Sequence, residues 1–155
     1  MVLGKKTLQV IENKFFNYAK IKAAIIDARA EQDSKGGFTG GDSGHSRISD
    51  PTAATAIKHV SPLASVYIKD GLFDMKVHNP EKWLKVMDYT FNVYKNQLVG
   101  IMAQRRYIKG EKPDYTYDNM GIGMRTYYDW RDDFVTQAAI FAIGEGLIAY
   151  DRTME

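Results

Sequence analysis

The chain has 155 residues, 45% of them hydrophobic and 26% charged, with a formal net charge of +2. That is the composition of a folded domain long enough to bury a core without staples. It contains no cysteine, which excludes disulfides, thiolate chemistry and cysteine-ligated zinc, and no apolar run approaches the roughly 20 residues that span a bilayer.

The N-terminal stretch MVLGKKTLQVIENKFF has lysines but no uninterrupted apolar core, so it does not read as a signal peptide. With the lack of cysteine this points to an intracellular chain with no membrane partner. Residues 7–32 lack Pro and Gly, and Leu8, Ile11, Phe15, Tyr18, Lys22 and Ile25 recur at spacings of three and four. With Ile21 and Ile26 widening the stripe, the pattern predicts one amphipathic helix of several turns. It packs either on its own domain or on another protein or copy. Residues 33–46, DSKGGFTGGDSGHS, form a Gly- and Ser-rich loop. It lacks the Gly-Lys-Ser/Thr ending of a phosphate-binding loop, and His45 reads as a loop residue.

A short helix is expected over 48–60, with Ser49 or Asp50 as cap and Pro51 in the first position, until Ser61-Pro62 interrupts it. The run LASVYIKDG after it is open between helix and extended chain, with Val66, Tyr67 and Ile68 favouring extension. Residues 79–111 carry the strongest helical pattern. Asn79 caps, Pro80 opens, Glu81 complements the helix dipole, and Trp83, Met87, Tyr94, Leu98, Ile101 and Met102 make an apolar face. Gly110 is a stop signal.

Charge is unevenly placed. Residues 95–112 hold Lys95, Arg105, Arg106, Lys109 and Lys112 against the single acid Glu111, whereas residues 114–133 hold five aspartates against Arg125 and Arg131. Cations at a helix C-terminus have an ordinary dipole explanation. They also lead directly into DNMGIGMRTYYDWRDDF, residues 118–134. This segment fits a helix-turn-helix. Tyr115–Met120 is the first helix, Gly121 the positive-φ turn, Ile122 the apolar plug, Gly123 the cap and Met124–Phe134 the second helix. Tyr127, Trp130, Phe134 and Val135 make its buried face, leaving Arg125, Thr126, Tyr128 and Asp129 outward near its N-terminus, where this motif reaches DNA. Two features oppose the fit: large Tyr117 stands four residues before the turn glycine, and Asp129, Asp132 and Asp133 would face phosphate. A plain helical hairpin is the other reading.

The string RRYIKGE followed by GIGMRTYYDWRDDF resembles the C-terminal half of the ArpU/RinA-like regulators encoded by phages of Gram-positive bacteria. In that family a helix ends in an arginine-aromatic-isoleucine patch and precedes a helix-turn-helix with a Gly-Ile-Ser-x-x-Thr-Tyr-Tyr core. The N-terminal half is similar in character, with a long helix, a Gly-rich break and SDPTAATAI. The resemblance implies a sequence-specific activator of phage late genes that works in the cytoplasm of a bacterial host. Its C-terminal half would be like the promoter-reading region of a sigma factor, with host RNA polymerase as a candidate partner. By position, Arg125, Thr126 and Tyr128 match the exposed part of the recognition helix, and Tyr127 and Trp130 its buried part. The chain departs from the pattern at Gly123, where the family has serine, and at Tyr117, where a small residue is expected.

The expectation is therefore a mainly α-helical protein. An N-terminal helical region (1–75) precedes a C-terminal helix-turn-helix region (79–150) that binds double-stranded DNA. Arg105, Arg106 and Lys109 are the candidate phosphate contacts, and Arg125, Thr126 and Tyr128 the candidate reading face. Two other readings stand beside it. One is a small terminase subunit, which argues for a ring but usually carries its DNA-binding motif at the N-terminus. The other is a helical homo-oligomerisation module without nucleic acid, for which ten tyrosines are equally suited. No catalytic constellation, metal site or cofactor is expected: His45, His59 and His78 have no metal spacing, and the aspartates of 114–133 read as a solvated face.

Overall fold

The computed structural model describes residues 3–35 and 61–150. Most of the predicted Gly-rich loop, the helix predicted over 48–60, His45 and His59 lie outside the described residues. The described residues are mainly helical, with one small two-stranded sheet among them. It divides into two compact units, one of residues 1–20 with 82–155 and one of residues 21–81. The first helix thus belongs with the C-terminal helices, and the units do not part at the 75–79 boundary suggested by sequence.

The helix predicted over 7–32 is two helices, α1 (Lys5–Phe16) and α2 (Tyr18–Lys35). Asn17 makes the break. It leaves helical geometry at φ −101° and ψ 13°. Its amide donates to the carbonyls of Asn13 and Lys14, and its side-chain amide donates to the Asn13 carbonyl at 2.9 Å. A short polar side chain that bonds to its own backbone competes with helix continuation.

In the unit of residues 21–81, the undecided run after Pro62 is extended. Strand β1 (Ser65–Asp70) pairs antiparallel with β2 (Phe73–His78), in the register Val66↔Val77 and Ile68↔Met75. Period-two alternation buries Val66, Ile68 and Val77. The two-residue connection needs Gly71, which takes φ +67°. Arg29 of α2 bridges Glu81 at 2.6 Å and also donates to the Ser61 carbonyl, while Glu81 accepts from the Leu63 amide.

The larger unit holds α3 (Pro80–Val93) from Lys82 onward, α4 (Leu98–Ala103) with a π-helical turn (Gln104–Ile108) at its end, α5 (Pro113–Met120) and α6 (Met124–Gly144). The single helix expected over 79–111 is broken at Tyr94–Gln97, where Gln97 is extended. The break folds α4 close to the end of α3. A Cβ on Gly100 would sit 2.1 Å from the Tyr94 carbonyl oxygen, so only glycine fits this approach. Helix α6 is the central element, with α1, α4 and α5 packed on it. It buries Tyr127, Phe134, Val135, Ala138, Ala139 and Ala142, so large side chains serve its first half and small ones allow close packing in its second. Phe15 of α1 lies 5.0 Å from Phe134 and 5.5 Å from Phe91 between ring centroids, and Phe134 also meets Tyr94 and Tyr107. This aromatic cluster is the core of the unit.

Candidate nucleic-acid interface

Helix α5 starts with Pro113 in its first turn, after extended Lys112. It ends at Gly121, which takes the left-handed conformation at φ 67° and ψ 32°. The Gly121 amide donates to the Asp118 carbonyl and the Ile122 amide to the Tyr117 carbonyl, closing the helix end. Extended Gly123 then leads into α6, with no side chain capping the first amides. Gly121 takes the positive φ read from sequence and Gly123 directly precedes α6, while Ile122, read as the apolar plug, is half-buried. The small buried residue of α5 is Thr116, whose hydroxyl bonds to the Lys112 carbonyl and to Glu111. Tyr117 is accommodated half-buried, its ring edge-on to Tyr127 at 5.9 Å.

On the outward side of α6, Arg125 has a side chain 94% exposed, with only a long 3.9 Å approach to Asp129. Thr126 is exposed beside it. Tyr128 is half-buried, edge-on to Tyr127 and covered by the Arg131 guanidinium at 5.1 Å. The buried face matches expectation at Tyr127, Phe134 and Val135, while Trp130 is only half-buried. The acids flanking this face are partly answered from within the helix: Arg131 bridges Asp132 at 2.7 Å, and Arg125 approaches Asp129.

The basic cluster before α5 does not act as one surface. Arg106 turns inward, its side chain 12% exposed. Its Nε and Nη2 each donate to Glu12 at 3.2 Å, and its Nη1 donates to the Tyr127 hydroxyl at 3.1 Å. The Tyr107 hydroxyl donates to the same Glu12 oxygen at 2.7 Å. Burial opposes the Arg106 charge, but Tyr107, Tyr127 and Glu12 outweigh it and raise its pKa above the usual arginine value. Burial, reinforced by Glu12, pushes the Tyr107 phenol well above its ordinary value. Arg105 is also committed. Its Nε donates to Glu111 at 2.6 Å, its Nη1 to the Asn119 side chain at 2.8 Å, and it lies over the Tyr115 ring. Of the three cations expected at phosphate, the structure therefore leaves only Lys109 exposed and without an ion-pair partner among the described residues.

The π turn is the cause of this separation. The Lys109 amide bonds to the Gln104 carbonyl, five residues back. The wider turn aims Arg106 and Tyr107 at Glu12 of α1 while Lys109 stays outside. Sequence periodicity with a 3.6-residue repeat has no means of showing such a turn. It also passes over two residues. Glu12 lies beside the apolar stripe of Ile11 and Phe15, and an acid at the edge of a buried stripe is the signal for a buried partner. Lys112 is exposed at the mouth of α5, and its place next to Pro113 marks it as the residue entering that helix.

Comparison with known proteins finds no matching family model, no similar curated protein and no similar solved structure. Among the described residues no group of three or more His, Asp or Glu side chains converges as metal ligands, and no helix is long and apolar enough to cross a membrane.

Proposed function

We propose that α5, the Gly121 turn and α6 form a helix-turn-helix and that the chain is a sequence-specific DNA-binding regulator. One observation carries this reading. The first turns of α6 present Arg125 and Thr126 to solvent, next to uncapped helix amides, while Tyr127 on the opposite side is fully buried. A helix anchored on one face and bare on the other, reached through a left-handed glycine, is what a major-groove reader needs. Arg125 can pair with a guanine edge, and the open amides and helix dipole suit a phosphate. Thr126 stands at its side, and Tyr128, held by Arg131, contributes only its exposed edge. Phosphate contacts fall to Lys109 and Lys112, because Arg105 and Arg106 are used inside the protein. Activation of phage late genes, with RNA polymerase as partner, is the role that the sequence resemblance suggests for such a reader.

The test is fluorescence anisotropy of the full chain with short duplexes across a salt series. One duplex is taken from beside the gene's own locus and one is scrambled. The expected result is salt-sensitive binding that prefers one duplex. Arg125→Ala then loses about 1–3 kcal/mol of that preference. Absence of binding at low salt overturns the reading.

A further inference from the structure

A second feature of the larger unit shares only Lys109 with the proposed DNA reading. A groove of about 610 Å³ opens beside the break between α3 and α4. Its apolar wall is Phe91 and Ile101, with buried Gly100 between the helices. Its polar wall holds Lys95, Lys109 and the Arg105–Glu111 pair. That volume suits a few side chains of a ligand.

We propose that this groove binds an acidic, apolar peptide segment of a partner protein. A large apolar side chain would lie on Phe91 and Ile101, and neighbouring carboxylates on Lys95 and Lys109. Three observations support this occupant. The first is charge: Arg105 and Glu111 neutralise each other at 2.6 Å, so the groove keeps the net charge of two lysines that have no ion-pair partner among the described residues. The second is the continuing apolar surface. Ile101 is 49% exposed, and Leu98, one turn earlier on the same helical face, is 57% exposed. Phosphate backbone gains nothing from such a wall, whereas an amphipathic segment does. The third is rigidity. The groove lies where Gly100 closes onto the Tyr94 carbonyl and where the π turn begins, and π turns recur at functional sites because they set side chains out of helical register.

The experiment uses the full chain and a fluorescein-labelled short peptide of alternating Glu-Glu and Leu-Phe pairs. Two control peptides replace Glu by Gln or Leu-Phe by Ser. The variants are Lys95→Glu and Ile101→Glu, both at exposed positions, so that each is expected to keep its thermal unfolding curve. Lys109 is left intact because it also serves the proposed DNA contact. The expected result is saturable, salt-weakened binding of the acidic peptide, reduced about tenfold or more by each variant and by each control peptide. Duplex binding measured in parallel stays unchanged in both variants. No binding to the wild-type chain, or binding indifferent to both variants, overturns the proposal. Loss of duplex binding in both variants without peptide binding also overturns it and makes the groove a seat for DNA backbone. Peptide binding is read separately from duplex binding, so failure of the DNA reading leaves this test intact.

Discussion

Removing the Glu12 carboxylate is the perturbation that most directly tests how the larger unit is held together. Glu12 is 14% exposed in its side chain and Arg106 12%. Its Oε1 accepts from Arg106 through two nitrogens and from the Tyr107 hydroxyl. Glu12→Ala leaves a guanidinium that is nearly buried and keeps its hydrogen bond to the Tyr127 hydroxyl, together with a phenol that has lost its carboxylate acceptor. A charged hydrogen bond is worth about 1.5–3 kcal/mol and a neutral donor left buried costs about 1–3 kcal/mol. Residual water access reduces both, so the expected loss is about 3 kcal/mol, in the range for breaking a buried pair from one side. Urea unfolding of Glu12→Ala, with an unchanged slope, measures it. The double variant Glu12→Ala/Arg106→Met should recover part of the loss, because it removes the stranded charge. A loss below about 1 kcal/mol, or a double variant less stable than Glu12→Ala by the full cost of Arg106→Met alone, refutes the network as described.

Lys109→Ala and Lys112→Ala should each weaken binding to all duplexes alike and lower the salt slope by about 1, with unfolding unchanged. Salt titrations of anisotropy check this. Gly100→Ala should cost more than about 2 kcal/mol, since its Cβ meets backbone at 2.1 Å. Gly121→Ala, with φ +67° and open space around the new methyl, should cost only about 1–2 kcal/mol of left-handed strain. Thermal unfolding of the two variants side by side tests the ranking. Stability should also fall in alkali. Burial of Tyr18, then its hydrogen bond to Asp88, pushes its pKa up to about 12, and Tyr107 lies higher than its ordinary value for the causes given above. A raised folded pKa means that the unfolded chain loses its proton first. The stabilisation is therefore complete below pH about 10 and is lost as pH rises through about 12 for Tyr18. Tyr107→Phe should be less stable than wild type at pH 8, with the gap narrowing above pH 10, as urea titrations across pH would show.

The local features of the C-terminal half were legible because each is written in neighbouring residues. Gly121 takes the positive φ, and the spacing of Tyr127, Phe134 and Val135 marks the face of α6 that is buried, although α5 begins at Pro113 and not at the Tyr115 start read from sequence. The outward placement of Arg125 and Thr126 follows from the same periodicity. Extension at Val66–Ile68 was favoured but left open by its β-branched and aromatic residues, and its partner strand Phe73–His78 was not foreseen, since its exposed Phe73 and single buried Val77 carry little alternation.

Tertiary structure decided what no local pattern encodes. Apolar periodicity runs through residues 7–32 and 79–111 without showing the breaks at Asn17 and at Tyr94–Gln97, because an apolar stripe is compatible with one helix or with two. The division of the basic cluster depends on Glu12, more than ninety positions from Arg106 in the chain. Apolar spacing, capping residues and charge order by themselves pointed to a mainly helical chain with a basic approach to a glycine turn. Which of those cations face solvent was decided only when the π turn set Arg106 against α1, since a buried guanidinium requires a carboxylate that only folding brings within reach.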